Sequence, residues 1–208
     1  PMRLFAAGFA LVIAFAAIAI DKEPPQNRLQ EVTIAEGTYH LELPAKFKPD
    51  APVPVLVFFH GKTVDPNADN AKGQLTNEFV VQMKALGYVA VCPVMPKEHR
   101  PHWWENGGSL EFVDAVMKDV RARVKVSYMI VSGFSAGANY SMILHQDAQR
   151  HRWFAGFLVM AGGGYLNARP AEVQKRKPVW LGCGDSDTDT YSDTLDTTGG
   201  VQKEAARL

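Results

Sequence analysis

Ser135 stands at the centre of Gly133-Phe134-Ser135-Ala136-Gly137, and that spacing is the strongest chemical signal in the chain. A serine with glycine two residues to either side suits a nucleophile elbow. A strand turns sharply into a helix there, and the serine at the turn is held in a strained conformation with its hydroxyl exposed. The glycines let strand and helix approach where a Cβ would intrude. The pentapeptide pattern alone is common, so context decides. The apolar run Tyr128-Met129-Ile130-Val131 precedes it and a helix is expected from near Ala138. The chemistry of such a turn is acyl transfer through the Ser135 hydroxyl. The bland alternative is a Gly/Ser turn with no chemistry.

A serine nucleophile needs oxyanion donors, a base and an orienting acid. Ala136 follows the nucleophile and presents its N–H to a developing negative charge at the start of the helix. The second donor is expected from a loop after an earlier strand. His60-Gly61-Lys62 follows the apolar run Val53–Phe59, at the end of a strand where open parallel sheets place their ligands. Gly61 allows close backbone approach, and the Lys62 N–H is the expected donor. In folds with this elbow the acid and then a histidine follow the serine in chain order. No histidine follows His151. His99 and His102 fall in the loop after the strand ending near Cys92 and offer a relocated base or pocket residues. His60 is expected to orient the oxyanion loop, and His145 and His151 to be structural or exposed. Trp103 and Trp104 read as a substrate-binding wall or as core plugs, with one expected in each role. Glu105 is expected to face solvent.

The elements that must position these groups alternate between strand and helix. Val32 to Leu43 reads as a hairpin with Gly37 at the turn, and Val53–Phe59 as a strand buried on both faces. Leu75, Phe79, Met83 and Leu86 give helical spacing over Gln74–Leu86, closed by Gly87. Tyr88–Met95 is the next strand, and a helix capped by Ser109 follows with Phe112, Val113, Val116, Val120 and Val124 on one face. Beyond the elbow come a helix to Gln149, strands at Phe154–Met160 and Pro178–Cys183, and short helices at Ala171–Lys175 and Val201–Leu208. The predicted class is α/β, a mostly parallel sheet with helices on both faces.

The ends and the bulk numbers bound the rest. Met2-Arg3 followed by an apolar run to Ile20 and the Ala17-Ile18-Ala19 site read as a signal peptide over 1–19. An uncleaved anchor is the alternative, and either way the domain is expected to be exported, secreted or periplasmic. Residues 20–31 read as a linker and 32–208 as the domain. Lys plus Arg and Asp plus Glu balance at 22 each, which gives no support to a nucleic-acid partner. Cys92 and Cys183 fit no metal-ligand spacing; they could pair in an exported chain, but both lie on core-like runs and read as two buried thiols, and neither a metal nor a cofactor is expected.

Three segments together resemble the α/β-hydrolase superfamily: VLVFFHG from Val55, VSGFSAGANYS from Val131 and KPVWLGCGDSD from Lys177. Within it they look most like secreted carboxylesterases related to dienelactone hydrolase, feruloyl esterase and polyhydroxybutyrate depolymerase. The resemblance covers roughly Val53 to Leu208. It implies an α/β-hydrolase fold and hydrolysis of a small-molecule or polymeric ester through an acyl-enzyme on Ser135. It also implies a triad acid in a Gly-x-x-Asp turn, which is Asp187 counted from Gly184 or, second, Asp185 counted from Gly182. The alternative for both is a solvated acidic turn. The family's histidine lies beyond one more helix and strand, so the expectation is a chain cut short of its last strand and base and nearly inactive alone. A peptidase or thioesterase of the same fold, or a non-catalytic pseudo-hydrolase that keeps the pocket for binding, are the alternatives. The missing strand is expected to leave Val179 and Leu181 at an aggregation-prone edge.

Overall fold

A computed structural model describes residues 28–62, 70–96, 104, 109–161 and 177–182. Its frame is a 7-stranded sheet in the order β1-β2-β4-β3-β5-β6-β7. The strands are β1 Leu29–Ile34, β2 Gly37–Glu42, β3 Val53–Phe59, β4 Val89–Pro93, β5 Val126–Phe134, β6 Gly156–Met160 and β7 Val179–Gly182. The β1–β2 and β2–β4 pairs are antiparallel; β4, β3, β5, β6 and β7 run parallel to one another. The helices are α1 Asn70–Gln74, α2 Glu78–Ala85, α3 Ser109–Arg123 and α4 Ala136–Gln146.

The alternation of β3 explains why its sequence is apolar throughout. Val55, Val57 and Phe59 join one core with Phe112, Val113, Val116 and Val120 of α3 and with Tyr140 and Leu144 of α4. Leu56 and Phe58 join the other, with Ala71, Leu75 and Val80 of the α1–α2 region. A strand whose side chains leave alternately to two covered faces has no polar side to show. Among the described residues no helix is long and apolar enough to cross a membrane.

Several boundaries differ from the sequence reading, each for a local reason. β1 begins at Leu29, inside the stretch taken as a linker, because the hairpin register continues through Gln30↔Leu41 to Leu29↔Glu42. Ladder hydrogen bonds need no apolar side chains, and Leu29 remains exposed. The helix expected over Gln74–Leu86 is shorter, α2 covering only Glu78–Ala85, and a separate helix, α1, ends at Gln74. Asn77 interrupts the expected span, its side chain accepting the Phe79 N–H at 3.0 Å and starting α2. Gly87 closes α2 as expected. It has φ 94°, and the Gly87 and Tyr88 N–H groups return to the Lys84 and Met83 carbonyls in a Schellman arrangement. α4 begins at Ala136, before Ala138, and stops at Gln146, where Asp147 turns extended. Cys92 is buried, while Cys183 and the stretches 1–27, 171–175 and 201–208 lie outside the described residues. Among the described residues β7 pairs on one side only, with β6. Val179 and Leu181 nonetheless pack against Ala138, Met142 and Val159, and the exposed side chain of this strand is Trp180.

Candidate active site

β5 delivers Ser135 to the C-terminal end of the sheet, in the strained turn that the pentapeptide predicts. Its φ is 53° and its ψ −118°, far from the regions open to a residue with a Cβ. The conformation is held from both sides. The Ser135 N–H donates to the Met160 carbonyl of β6 at 3.1 Å, and its carbonyl accepts the first helical bond, from the Asn139 N–H at 3.1 Å.

The two glycines set how closely the parts of this turn approach. A Cβ on Gly133 would collide with the Gly137 carbonyl, and one on Gly137 would collide with the Phe59 carbonyl and stand 2.7 Å from the His60 oxygen. α4 therefore starts in backbone contact with the end of β3. That contact brings the following loop beside the nucleophile. A Cβ on Gly61 would lie only 3.5 Å from the Ser135 Cβ and 3.4 Å from the Phe134 carbonyl oxygen.

An aromatic cluster supports the His60–Gly61 loop. Trp104 is fully buried, and its indole Nε1–H donates to the His60 carbonyl at 2.9 Å. Its ring stacks on Tyr140 at 5.7 Å and meets Phe59 edge-on at 5.0 Å, with the His60 ring at 5.0 Å. His60 is buried, and its Nδ1–H donates to the Gly61 carbonyl at 2.6 Å. Of the two roles weighed for the tryptophan pair, Trp104 takes the packing one. It ties the loop to α4 through Tyr140, a support that the sequence reading did not find. The available signal was the tryptophan pair itself, because an indole buried in a core needs a hydrogen-bond acceptor.

The remaining site residues divide by position. Gly61 passes beside Ser135, Lys62 follows it with its side chain exposed, and Ala136 is buried at the first position of α4. Asp185, Asp187, Trp103, Glu105, His99 and His102 lie outside the described residues. Of the other histidines, His40 is three strands away from β5 in the sheet, roughly 14 Å at the usual strand spacing. His145 sits near the far end of α4, roughly 15 Å along the helix from Ser135. Both are buried away from the nucleophile. His145 meets Phe157 edge-on at 4.8 Å, and His151, just beyond the helix, bonds the Asp147 carbonyl at 3.0 Å. Among the described residues no side chain hydrogen-bonds the Ser135 hydroxyl.

No protein-family model matches the chain, and no curated protein matches it. Solved structures do. A thermostable esterase superposes with a TM-score of 0.63 at 17% identity, covering 86% of this chain and 51% of its own. The feruloyl esterase module from Clostridium thermocellum, complexed with sinapinate, gives 0.53 at 15%, covering 76% of this chain and 66% of its own. The fluorophosphonate-binding serine hydrolase F of Staphylococcus aureus gives 0.50 at 12%, covering 86% and 72%. The chain thus spans about half the length of the thermostable esterase. With the strand order and the strand–serine–helix turn already described, this likeness establishes that the chain has the α/β-hydrolase fold.

Proposed function

We propose that this chain belongs to an exported serine hydrolase that cleaves carboxylic esters through an acyl-enzyme on Ser135. The observation that carries the reading is the backbone of Ser135, at φ 53° and ψ −118°. Strain of this kind persists only where the surroundings over-determine it, as the glycine contacts and the Met160 and Asn139 bonds do here. In the proposed reaction Ser135 Oγ attacks the ester carbonyl carbon, and the Lys62 and Ala136 N–H groups hold the resulting oxyanion. The alcohol leaves with a proton, and water then releases the acid from Ser135. Asp187, or Asp185 in its place, orients a histidine that takes and returns the proton. The neighbours with esterase names support an ester as substrate, and the apolar run before Ala19 supports export.

The base is the group that these residues do not supply in the family's order. His60 is close, but it is buried with its ring against Trp104, and it precedes the serine in the chain instead of following the acid. The 208 residues alone should therefore retain only the part of catalysis that binding and the oxyanion donors give, about 10³–10⁴-fold over water. Added imidazole tests the assignment directly. A fluorophosphonate probe should label Ser135 slowly, imidazole should accelerate labelling, and Ser135→Ala should abolish it, with mass spectrometry locating the adduct. Rapid stoichiometric labelling without imidazole refutes the missing base. No labelling even with imidazole refutes Ser135 as nucleophile and leaves the non-catalytic binding protein.

A further inference from the structure

Phe134 is a residue of the elbow that the turn itself does not require. On β5, Met129 and Val131 pack into the core shared with α3, while Ile130 packs against Leu56 and Phe58 on the opposite face. Phe134 shares the face of Ile130 and Ser132, since strand side chains alternate. Ser132 is buried, yet Phe134 at the strand's end is 51% exposed. Its surroundings belong to the nucleophile. A Cβ on Gly61 would lie 3.6 Å from Phe134 Cδ1 and 3.5 Å from the Ser135 Cβ, so ring and nucleophile flank the same bare stretch of backbone. The register pairs Phe134 with Met160 of β6, a partly buried thioether. An aromatic ring, a glycine backbone without a side chain and a soft methionine make a flat apolar shelf beside the attacking hydroxyl.

We infer that Phe134 is a specificity-determining residue, and that its ring receives an aromatic group of the ester held at Ser135. The inference rests on the esterase reading and narrows its substrate class to esters with an aryl group next to the carbonyl carbon or the ester oxygen. A flat ring suits the shelf because it stacks offset on Phe134 while its edge passes over Gly61, where any side chain would stand in the way.

Binding tests this without turnover. In full-length protein carrying Ser135→Ala, ligand-observed NMR titrations measure the dissociation constants of phenyl acetate, methyl benzoate and ethyl acetate. At least one aryl ester should bind about tenfold more tightly than ethyl acetate. Adding Phe134→Ala should shrink that preference to about twofold or less with an unchanged melting temperature, and Phe134→Tyr should keep it. A preference that survives Phe134→Ala, an equal loss for all three esters, or no measurable binding overturns the inference. The esterase reading fails separately, in the imidazole experiment, because these titrations do not require Ser135 to attack.

Discussion

Alanine at Gly137 should destabilise the protein as well as disable the site. The added methyl carbon would stand 2.7 Å from the His60 oxygen, 2.5 Å from the Phe59 carbonyl carbon and closer still to its oxygen. All three are backbone atoms at the end of β3, where Phe59 is in register with Gly133 of β5 and the Trp104 indole holds the His60 carbonyl, so they have little freedom to turn aside. The start of α4 must move instead, by roughly 1 Å to restore ordinary contact, and Tyr140 and Leu144 would leave their places in the core. Overpacking of this kind costs about 1–3 kcal/mol, and contacts with fixed backbone place this one near about 3 kcal/mol. With a urea slope of roughly 2–3 kcal/mol/M, the unfolding midpoint should fall by roughly 1–1.5 M. Gly73→Ala is the control. No atom lies within 4 Å of its Cβ position, and helix propensity favours alanine there by up to about 1 kcal/mol. A Gly137→Ala midpoint within about 0.3 M of the parent would refute the claim that glycine at this position sets the distance from helix to strand.

Three further outcomes follow from individual side-chain contacts. Trp104→Phe removes the donor to the His60 carbonyl and should lower stability by about 1–3 kcal/mol, measured by urea denaturation. Asp119→Asn should matter most at neutral pH. Burial pushes the Asp119 carboxyl up, but hydrogen bonds from Arg123 and Tyr39 outweigh it and hold the group below its ordinary value of 3.8. A carboxyl lowered in the fold stabilises above its unfolded pKa and loses that contribution as pH falls through the folded one. The gap between Asp119→Asn and its parent should therefore be wide at pH 7 and close below about pH 4, as midpoints at the two pH values will show. Arg150→Met removes the cation shared by Asp114 at 2.9 Å and Asp147 at 3.0 Å, where the Arg150 side chain is 12% exposed. A loss of about 2–3 kcal/mol is expected, and because the site is largely buried most of it should remain in 1 M salt, read from melts at both ionic strengths.

Much of the fold was legible because it depends on local pattern. The apolar run Val53–Phe59 is β3, bound for bound, and the valines of α3 pack on one face as their spacing required. Boundaries failed where one polar group competed with the pattern, as Asn77 does by capping α2 within an otherwise continuous helical spacing. Glycine spacing announced the elbow, and the contacts of Gly133 and Gly137 supply its physical reason. The aromatic support of the loop was not legible. Phe59, His60, Trp104 and Tyr140 come from three separate stretches of sequence, and no periodicity links them.

The sequence by itself determined the class of fold, the order of its elements and the place of the strained serine. Those depend on periodicity, on where side chains are absent and on short-range turn chemistry. Only the tertiary structure decided that Trp104 is a plug rather than a wall, that Gly61 lies against Ser135, and that Phe134 opens to solvent beside it. Each of these depends on distances between residues far apart in the chain, or on which side of a covered sheet a strand's last side chain emerges. Sheet pairing and helix packing settle those distances, and no local pattern encodes them.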